Sequence, residues 1–330
     1  MTSIPASIDR TSATSIPLSM VSQTPPLTLA PDAVLAGAAE ARLAASRLGD
    51  GRRGSVLLAH GFGQTRMAWD DTARALAEAG YATLAYDARG HGQSSRNPAG
   101  LRYDGTQFTD DLIVIAGEMS PPPVLVAASM GGLFGLLAES RWPGLFRAMV
   151  LVDITPRWET AGVERILRFM SAHPDGFDSL PAAADAISAY LPHRPRKSGD
   201  GLRKLLHEGS DGRWYWHWDP RLIDELAGGD AHEQQQILLH AAAQIRCPVL
   251  LVSGGRSDLV SPQTVAEFLS LVPHAQHVRL PEATHMVAGD ENSAFTAAVL
   301  HYLDALPPAR ANPASTDIKH ATEYVTGAGP

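Results

Sequence analysis

A chain of 330 residues that is 45% hydrophobic can bury a large core, as one big domain or as a domain with an insertion. Its net charge of -8 gives no basic face for a nucleic-acid partner. Its single cysteine, Cys247, excludes an internal disulfide and any multi-cysteine metal site.

The first 25 or so residues are rich in Ser, Thr and Pro without periodicity and read as a disordered leader, as does the tail over 307–330. No apolar run approaches the roughly 18 residues of a membrane span. No basic-then-apolar signal pattern opens the chain. A soluble cytoplasmic protein is the expectation.

Between the tails, strand and helix signals alternate. Arg42–Leu48 reads as an early edge strand and Ser55–His60 as a buried strand, from its continuous apolar run. Met67–Gly80 has helical spacing and stops at a glycine. Tyr81–Tyr86 is the next strand, Asp104–Met119 a helix, Val124–Ala128 a strand and Gly131–Arg141 a helix. Ala148–Asp153, Pro248–Ser253 and His277–Leu280 are further strands, with helices over Pro262–Leu271 and Asn292–Leu306. Such alternation implies a mostly parallel sheet with helices on both faces. Only residues 155–243 break it, with helical patterns, turns and the aromatic run Trp214–Trp218, which could pair as a short ribbon. The expected organisation is a core of 26–154 and 244–306 interrupted by a mainly helical cap over 155–243.

The stretch Val124–Leu133 carries the chemistry. An apolar strand runs into Ala127-Ala-Ser129-Met-Gly131, followed by a helical pattern. This is a strand–turn–helix with serine at the apex, normally written G-x-S-x-G, with Ala in place of the first glycine. A serine nucleophile needs a base, an orienter for the base and donors for the oxyanion. The order Ser, acid, His along the chain places Asp258 after the strand ending at Ser253, and His285 after the strand ending at Leu280. Parallel strands bring all three loops to one sheet edge. Asp153, at the end of its own strand, rivals Asp258, and Glu282 and Asp290 flank His285. The expected oxyanion donors are the backbone N–H groups of Met130 and of Phe62, in the glycine turn His60-Gly-Phe-Gly63.

Asp87-Ala-Arg-Gly-His-Gly-Gln-Ser94 lacks the spacings of a phosphate loop, and a structural turn is favoured, with Asp87 and Arg89 pinning loops. His207-Glu208 and His232-Glu233 have no second His four residues on, so the zinc-protease pattern is absent. No metal and no cofactor are expected.

With these motifs in order, the chain resembles the α/β-hydrolase fold family over about Leu27–Leu306. It is most similar to bacterial carboxylesterases and cofactor-free haloperoxidase (perhydrolase) relatives. The resemblance implies two-step acyl transfer: Ser129 attacks a carbonyl, and water activated by His285 hydrolyses the acyl-enzyme. Serine at the elbow disfavours the epoxide hydrolase and haloalkane dehalogenase branches, which carry Asp there. Lactonases, amidases and carbon–carbon bond hydrolases stay open.

Trp158, Trp214, Trp216, Trp218 and Met286 are candidates for an apolar substrate wall. The bland alternative for the aromatic run is packing of the cap onto the core. Arg157 and the His193-Arg-Pro-Arg-Lys197 run could pair a substrate carboxylate, against the alternative of a solvated basic patch. The expected activity is hydrolysis of small to medium apolar carboxylic esters. Lactonase or perhydrolase activity, or a hydrolase-like binding protein without turnover, are the alternatives. The expected partner is a small-molecule ester, with no nucleic acid and no membrane, and a homodimer is left open.

Overall fold

The computed structural model describes residues 31–119, 121–192, 199–290 and 292–307. The expected leader, the tail past 307 and the basic run 193–197 lie outside the described residues.

Eight strands form one sheet in the order β1-β2-β4-β3-β5-β6-β9-β10. These are β1 (Ala33–Ala36), β2 (Arg42–Leu48), β3 (Ser55–Ala59), β4 (Ala82–Tyr86), β5 (Val124–Ala128), β6 (Ala148–Val152), β9 (Val249–Gly254) and β10 (Gln276–Leu280). β1 and β2 join antiparallel, and β2 lies antiparallel to β4. All pairs from β4 onward are parallel. This is the α/β-hydrolase arrangement expected from the sequence. One expectation is corrected: β2 is not the edge, because the short β1 covers it.

The apolar runs are continuous because both faces of the sheet are covered. Val56, Leu58, Val124, Val126, Val150 and Val152 face one cluster, closed by Trp69 and Leu76 and by Phe295 and Val299. Their neighbours Leu57, Ala59, Leu125, Ala127, Met149 and Leu151 face the other. On the first face lie α1 (Asp70–Glu78) and α10 (Asn292–Ala305), which pack on each other. The second face carries α2 (Gly105–Gly117), α3 (Met130–Arg141), α8 (Ala231–Gln244) and α9 (Pro262–Leu271), packed in that sequence. Cys247 is a half-buried free thiol just before β9, its pKa pushed well up by burial.

Between β6 and α8 the chain leaves the sheet. It forms α4 (Thr160–Met170), α5 (Leu180–Tyr190), α6 (Gly199–Arg203), the hairpin β7 (Leu206–Glu208)–β8 (Trp214–Trp216) and α7 (Arg221–Gly228). The ribbon suggested by the aromatic run is thus β8, paired with β7. The last helix before β9, α8, packs against α3 and α9 with the core helices.

Two buried ion pairs tie the loops at the C-terminal edge. Arg66 Nη1 meets Asp87 Oδ2 at 2.5 Å, and Asp87 also accepts the backbone N–H groups of Arg66 and Gln93. Arg89 grips Asp111 of α2 with both Nε (2.7 Å) and Nη2 (2.6 Å). The same Asp111 caps the Ala38 N–H at 2.8 Å, while Arg89 donates to the Ala38 carbonyl at 3.0 Å. Asp87 and Arg89 thus pin loops, each through its own partner. Removing one member of such a pair leaves a buried charge uncompensated. Asp111→Ala is expected to cost about 3–5 kcal/mol in urea unfolding, and a loss within the ordinary surface range of about 0.5 kcal/mol would contradict this account.

Candidate active site

Ser129 stands between β5 and α3 with φ 46° and ψ −118°, a conformation costly for a residue with a Cβ, by about 1–3 kcal/mol. The turn is held by Gly132 and Leu133 N–H groups donating to the Ser129 carbonyl (2.9 and 3.1 Å) and by Ser129 N–H donating to Val152 (3.2 Å). Only a glycine fits at 131: a Cβ there would meet the Ala59 carbonyl oxygen at 2.8 Å and the Ala59 Cβ at 2.9 Å. The strand β3 therefore lies tight under the elbow. At 127 the chain tolerates alanine, fully buried in the core.

His285 lies in the loop after β10 and, with Ser129, lines a cavity of about 550 Å³. Its Nδ1 is 2.8 Å from Asp153 Oδ2. Asp153 follows β6 directly, has no exposed surface and a φ of 49°. Its carboxylate also accepts the Gly254 N–H at 2.7 Å and the Ser257 hydroxyl. Asp153, not Asp258, is therefore the acid on His285, and the expectation for Asp258 is corrected. The reason is the path of the chain after β9. Gly255 N–H donates to Leu280 and Arg256 N–H to Ala283, turning the loop toward β10, so that Ser257 reaches Asp153. Asp258, four residues past β9, instead pairs with Arg165 of α4 in the cavity wall. Glu282 pairs with Arg256, and Asp290 accepts the Thr284 N–H and hydroxyl.

Phe62 lies in the cavity wall, and Met130 follows Ser129. Around Phe62 the backbone donors are committed: Gly61 N–H to Gln64 Oε1 (3.1 Å), Gly63 N–H to His91 Nε2 (3.3 Å) and Gln64 N–H to the Gly61 carbonyl (3.2 Å). The Phe62 and Met130 N–H groups have no such partner among the described residues, which is what oxyanion donors require.

Three buried histidines hold this turn, a feature the sequence reading did not single out. His60 Nε2 accepts the Ala88 N–H (2.9 Å), leaving Nδ1 to donate to the Gly61 carbonyl (2.8 Å). His91 Nε2 accepts from Gly63, leaving Nδ1 to donate to the Arg89 carbonyl (3.1 Å). His217, just past β8 in the cap, accepts the Gly92 N–H at Nδ1 (2.9 Å) and reaches the Gly63 carbonyl through Nε2 (3.3 Å). Each ring thus uses one nitrogen as donor and one as acceptor, the neutral form. Burial agrees: it lowers the pKa of His60, lowers that of His91 well below the usual value, and brings His217 down to about 4.

The expected substrate wall is partly realised. Trp216 and Met286 line the cavity with Ser129. Trp214, Trp218, Trp158 and Arg157 do not, and these expectations are corrected. Trp214 is buried under the Arg203 guanidinium, 4.9 Å from the ring centre. Trp218 packs on Phe62 with ring centres 5.2 Å apart. Trp158 packs on the core, and its carbonyl accepts from Gln235. Arg157 pairs with Glu267 of α9 at 2.8 Å. The sequence reading missed Ile166, Phe169, Met170, Ile187 and Tyr190, which α4 and α5 bring into the wall. Their helical spacing was visible, but not which face of the cap meets the core.

Among the described residues no group of three His, Cys, Asp or Glu could hold a metal ion, and no helix is long and apolar enough to cross a membrane.

Residues 56–299 match the sequence model of a family described as the alpha/beta hydrolase family. Esterase Rv0045c of Mycobacterium tuberculosis is 30% identical over 76% of this chain and 82% of its own length. The non-heme chloroperoxidase CPO-A1 of Kitasatospora aureofaciens is 38% identical over 78% of this chain and 94% of its own. Among solved structures, E-2-(acetamidomethylene)succinate hydrolase superposes with a TM-score of 0.71 at 24% identity, covering 81% of this chain and 97% of that one.

Two outcomes follow from the geometry. Asp153→Asn is expected to lower kcat on the order of 10⁴-fold by losing the Nδ1–H tautomer, while Asp258→Asn changes it less than about tenfold. The reverse ranking in steady-state assays would return Asp258 to the acid role. The second outcome concerns pH. A histidine that titrates near 6.5 unfolded but about 4 folded binds more protons when unfolded across that window, so its contribution to stability is lost as pH falls through it. Glu139, raised to about 7 by burial, has the opposite slope in an overlapping window. The readout is therefore a difference: Tm should fall more steeply from pH 6.5 to 4 in the wild type than in His217→Gln, and equal slopes would contradict this role.

Proposed function

This chain belongs to the alpha/beta hydrolase family, and we propose that it hydrolyses carboxylic esters of small to medium apolar substrates through an acyl-enzyme on Ser129. The observation that carries the reading is the His285–Asp153 contact of 2.8 Å in the wall of the cavity that contains Ser129. In this reading His285 Nε2 takes the Ser129 proton as Oγ attacks the ester carbonyl. Asp153, accepting from Nδ1–H, fixes the tautomer and stabilises the imidazolium. The Phe62 and Met130 N–H groups bind the oxyanion, worth about 2.7–4 kcal/mol per donor. His285 then gives its proton to the leaving alcohol and next takes one from water, which attacks the acyl carbon and frees the acid. The largely apolar wall of Ile166, Phe169 and Trp216 supports the preference for apolar esters. The ester class is also the one named for the mycobacterial relative.

A second reading, perhydrolysis, is favoured by the 38% identity to a non-heme chloroperoxidase. There hydrogen peroxide replaces water as the acceptor of the acyl group and a peracid leaves. The acylation machinery is shared, so the readings differ only in the second half-reaction. Peracid formation from acetate and peroxide would show it.

Stopped-flow hydrolysis of p-nitrophenyl acetate and butyrate tests the main reading. A p-nitrophenol burst stoichiometric with enzyme is expected in the wild type and none in Ser129→Ala. Equal progress curves for the two proteins would remove Ser129 from the chemistry.

A further inference from the structure

A second cavity, of about 310 Å³, lies within the cap, lined by cap residues and Arg96. Its lining includes His173, His207, Tyr215 and Trp218, and it shares only Met170 and Trp216 with the lining of the cavity that contains Ser129. Those two residues line both cavities. They are not equally fixed. The Trp216 ring is held edge-on by Phe169 (5.9 Å) and Phe177 (5.4 Å) and stacks on Trp218 (6.4 Å). Met170 is the last residue of α4, unbranched, with three rotatable side-chain bonds. Its methyl group lies over Gly63, where a Cβ would come within 2.2 Å of Met170 Cε. Gly63, with φ of 73°, follows the oxyanion donor Phe62, so the methionine closes the floor of the ester site itself.

We propose that Met170 is the movable partition that sets the acyl-chain limit of the ester pocket, and that the second cavity takes the far part of an octanoyl-to-dodecanoyl chain. The inference rests on the serine-esterase reading. The acyl side is assigned by the chemistry of the first step. The leaving alcohol oxygen receives its proton from His285 and must face it, while the carbonyl oxygen faces the Phe62 and Met130 N–H groups. The acyl substituent therefore points away from His285, toward the cap floor where Met170 meets Gly63. Beyond the partition the chain runs along the stacked Trp216 and Trp218, and its end lies near Arg96, His173, His207 and Asp224 of the same lining.

The test is kcat/KM for p-nitrophenyl butyrate, octanoate and laurate on wild type, Met170→Ala and Met170→Phe. Active enzyme is counted by the butyrate burst, so a variant that folds poorly is corrected for. Truncation should raise the laurate-to-butyrate ratio about tenfold, the gain from burying about two further methylenes, and the phenylalanine should lower it. Two variants moving the ratio in opposite directions are not explained by general loosening of the cap. Unchanged ratios in both variants would overturn the proposal. So would a shift confined to a series of acetate esters with lengthening alcohols, which would put the leaving group in the second cavity. Failure of the underlying reading is distinct, since it would appear as hydrolysis of butyrate surviving in Ser129→Ala.

Discussion

The Asp153 carboxylate has no exposed surface, and a charge so buried is tolerated only where donors surround it. Three meet it from three segments: the Gly254 N–H at the end of β9, the Ser257 hydroxyl in the loop that follows, and His285 Nδ1 from the loop after β10. Satisfying one buried charge thus ties the C-terminal ends of β6 and β9 to the loops after β9 and β10. The histidine is positioned by the same requirement. The elbow joins this arrangement directly, because the Ser129 N–H donates to Val152, the residue before Asp153. Both Ser129 and Asp153 have positive φ, so two adjacent parallel strands end in turns unfavourable to their residues. Those turns put Asp153 on His285 and Ser129 in the cavity that His285 lines.

The opposite wall is built on a different principle. The turn over Gly61–Gly63 is held by neutral imidazoles, each donating from one nitrogen and accepting at the other. Neutral rings suit this place: charged ones would add buried positive charge and turn their acceptor nitrogens into donors facing N–H groups. His217 is the member contributed by the cap, so the cap takes part in holding the Gly61–Gly63 turn as well as covering it.

The sequence made the sheet legible because its central strands are short apolar runs bounded by turns, and the elbow legible because strand, small residues and helix adjoin in the chain. His285 followed from its order after the last strand. The acid did not, since Asp153 and Asp258 both sit past strand ends, and the choice depends on backbone bonds from Gly255 and Arg256 to the β10 side that no spacing reveals. β1 was missed because four residues of Ala-Val-Leu-Ala carry too little pattern. In the aromatic run, Trp214 and Trp216 are the buried residues of β8, on one face as strand alternation requires. Only Trp216 reaches the cavity, because Arg203 covers Trp214, a contact between chain segments that the local pattern does not encode.

The cap is attached to the core by two kinds of bond with different physical character. Around the cavity and the cap base, Arg165–Asp258, Lys204–Asp70 and Arg157–Glu267 are ion pairs whose cationic members are a third or more exposed. Such pairs are worth about 0–1 kcal/mol each and weaken as salt screens them. At the Gly61–Gly63 turn the attachment is through buried hydrogen bonds of neutral His217 and the packing of Trp218 on Phe62. Those bonds carry no net charge to screen, and breaking them would leave buried polar groups unpaired at about 1–3 kcal/mol each. The stronger and salt-indifferent attachment therefore lies at the Gly61–Gly63 turn. The weaker pairs lie in the cavity wall, at Arg165, Asp258 and Lys204, and at the cap base.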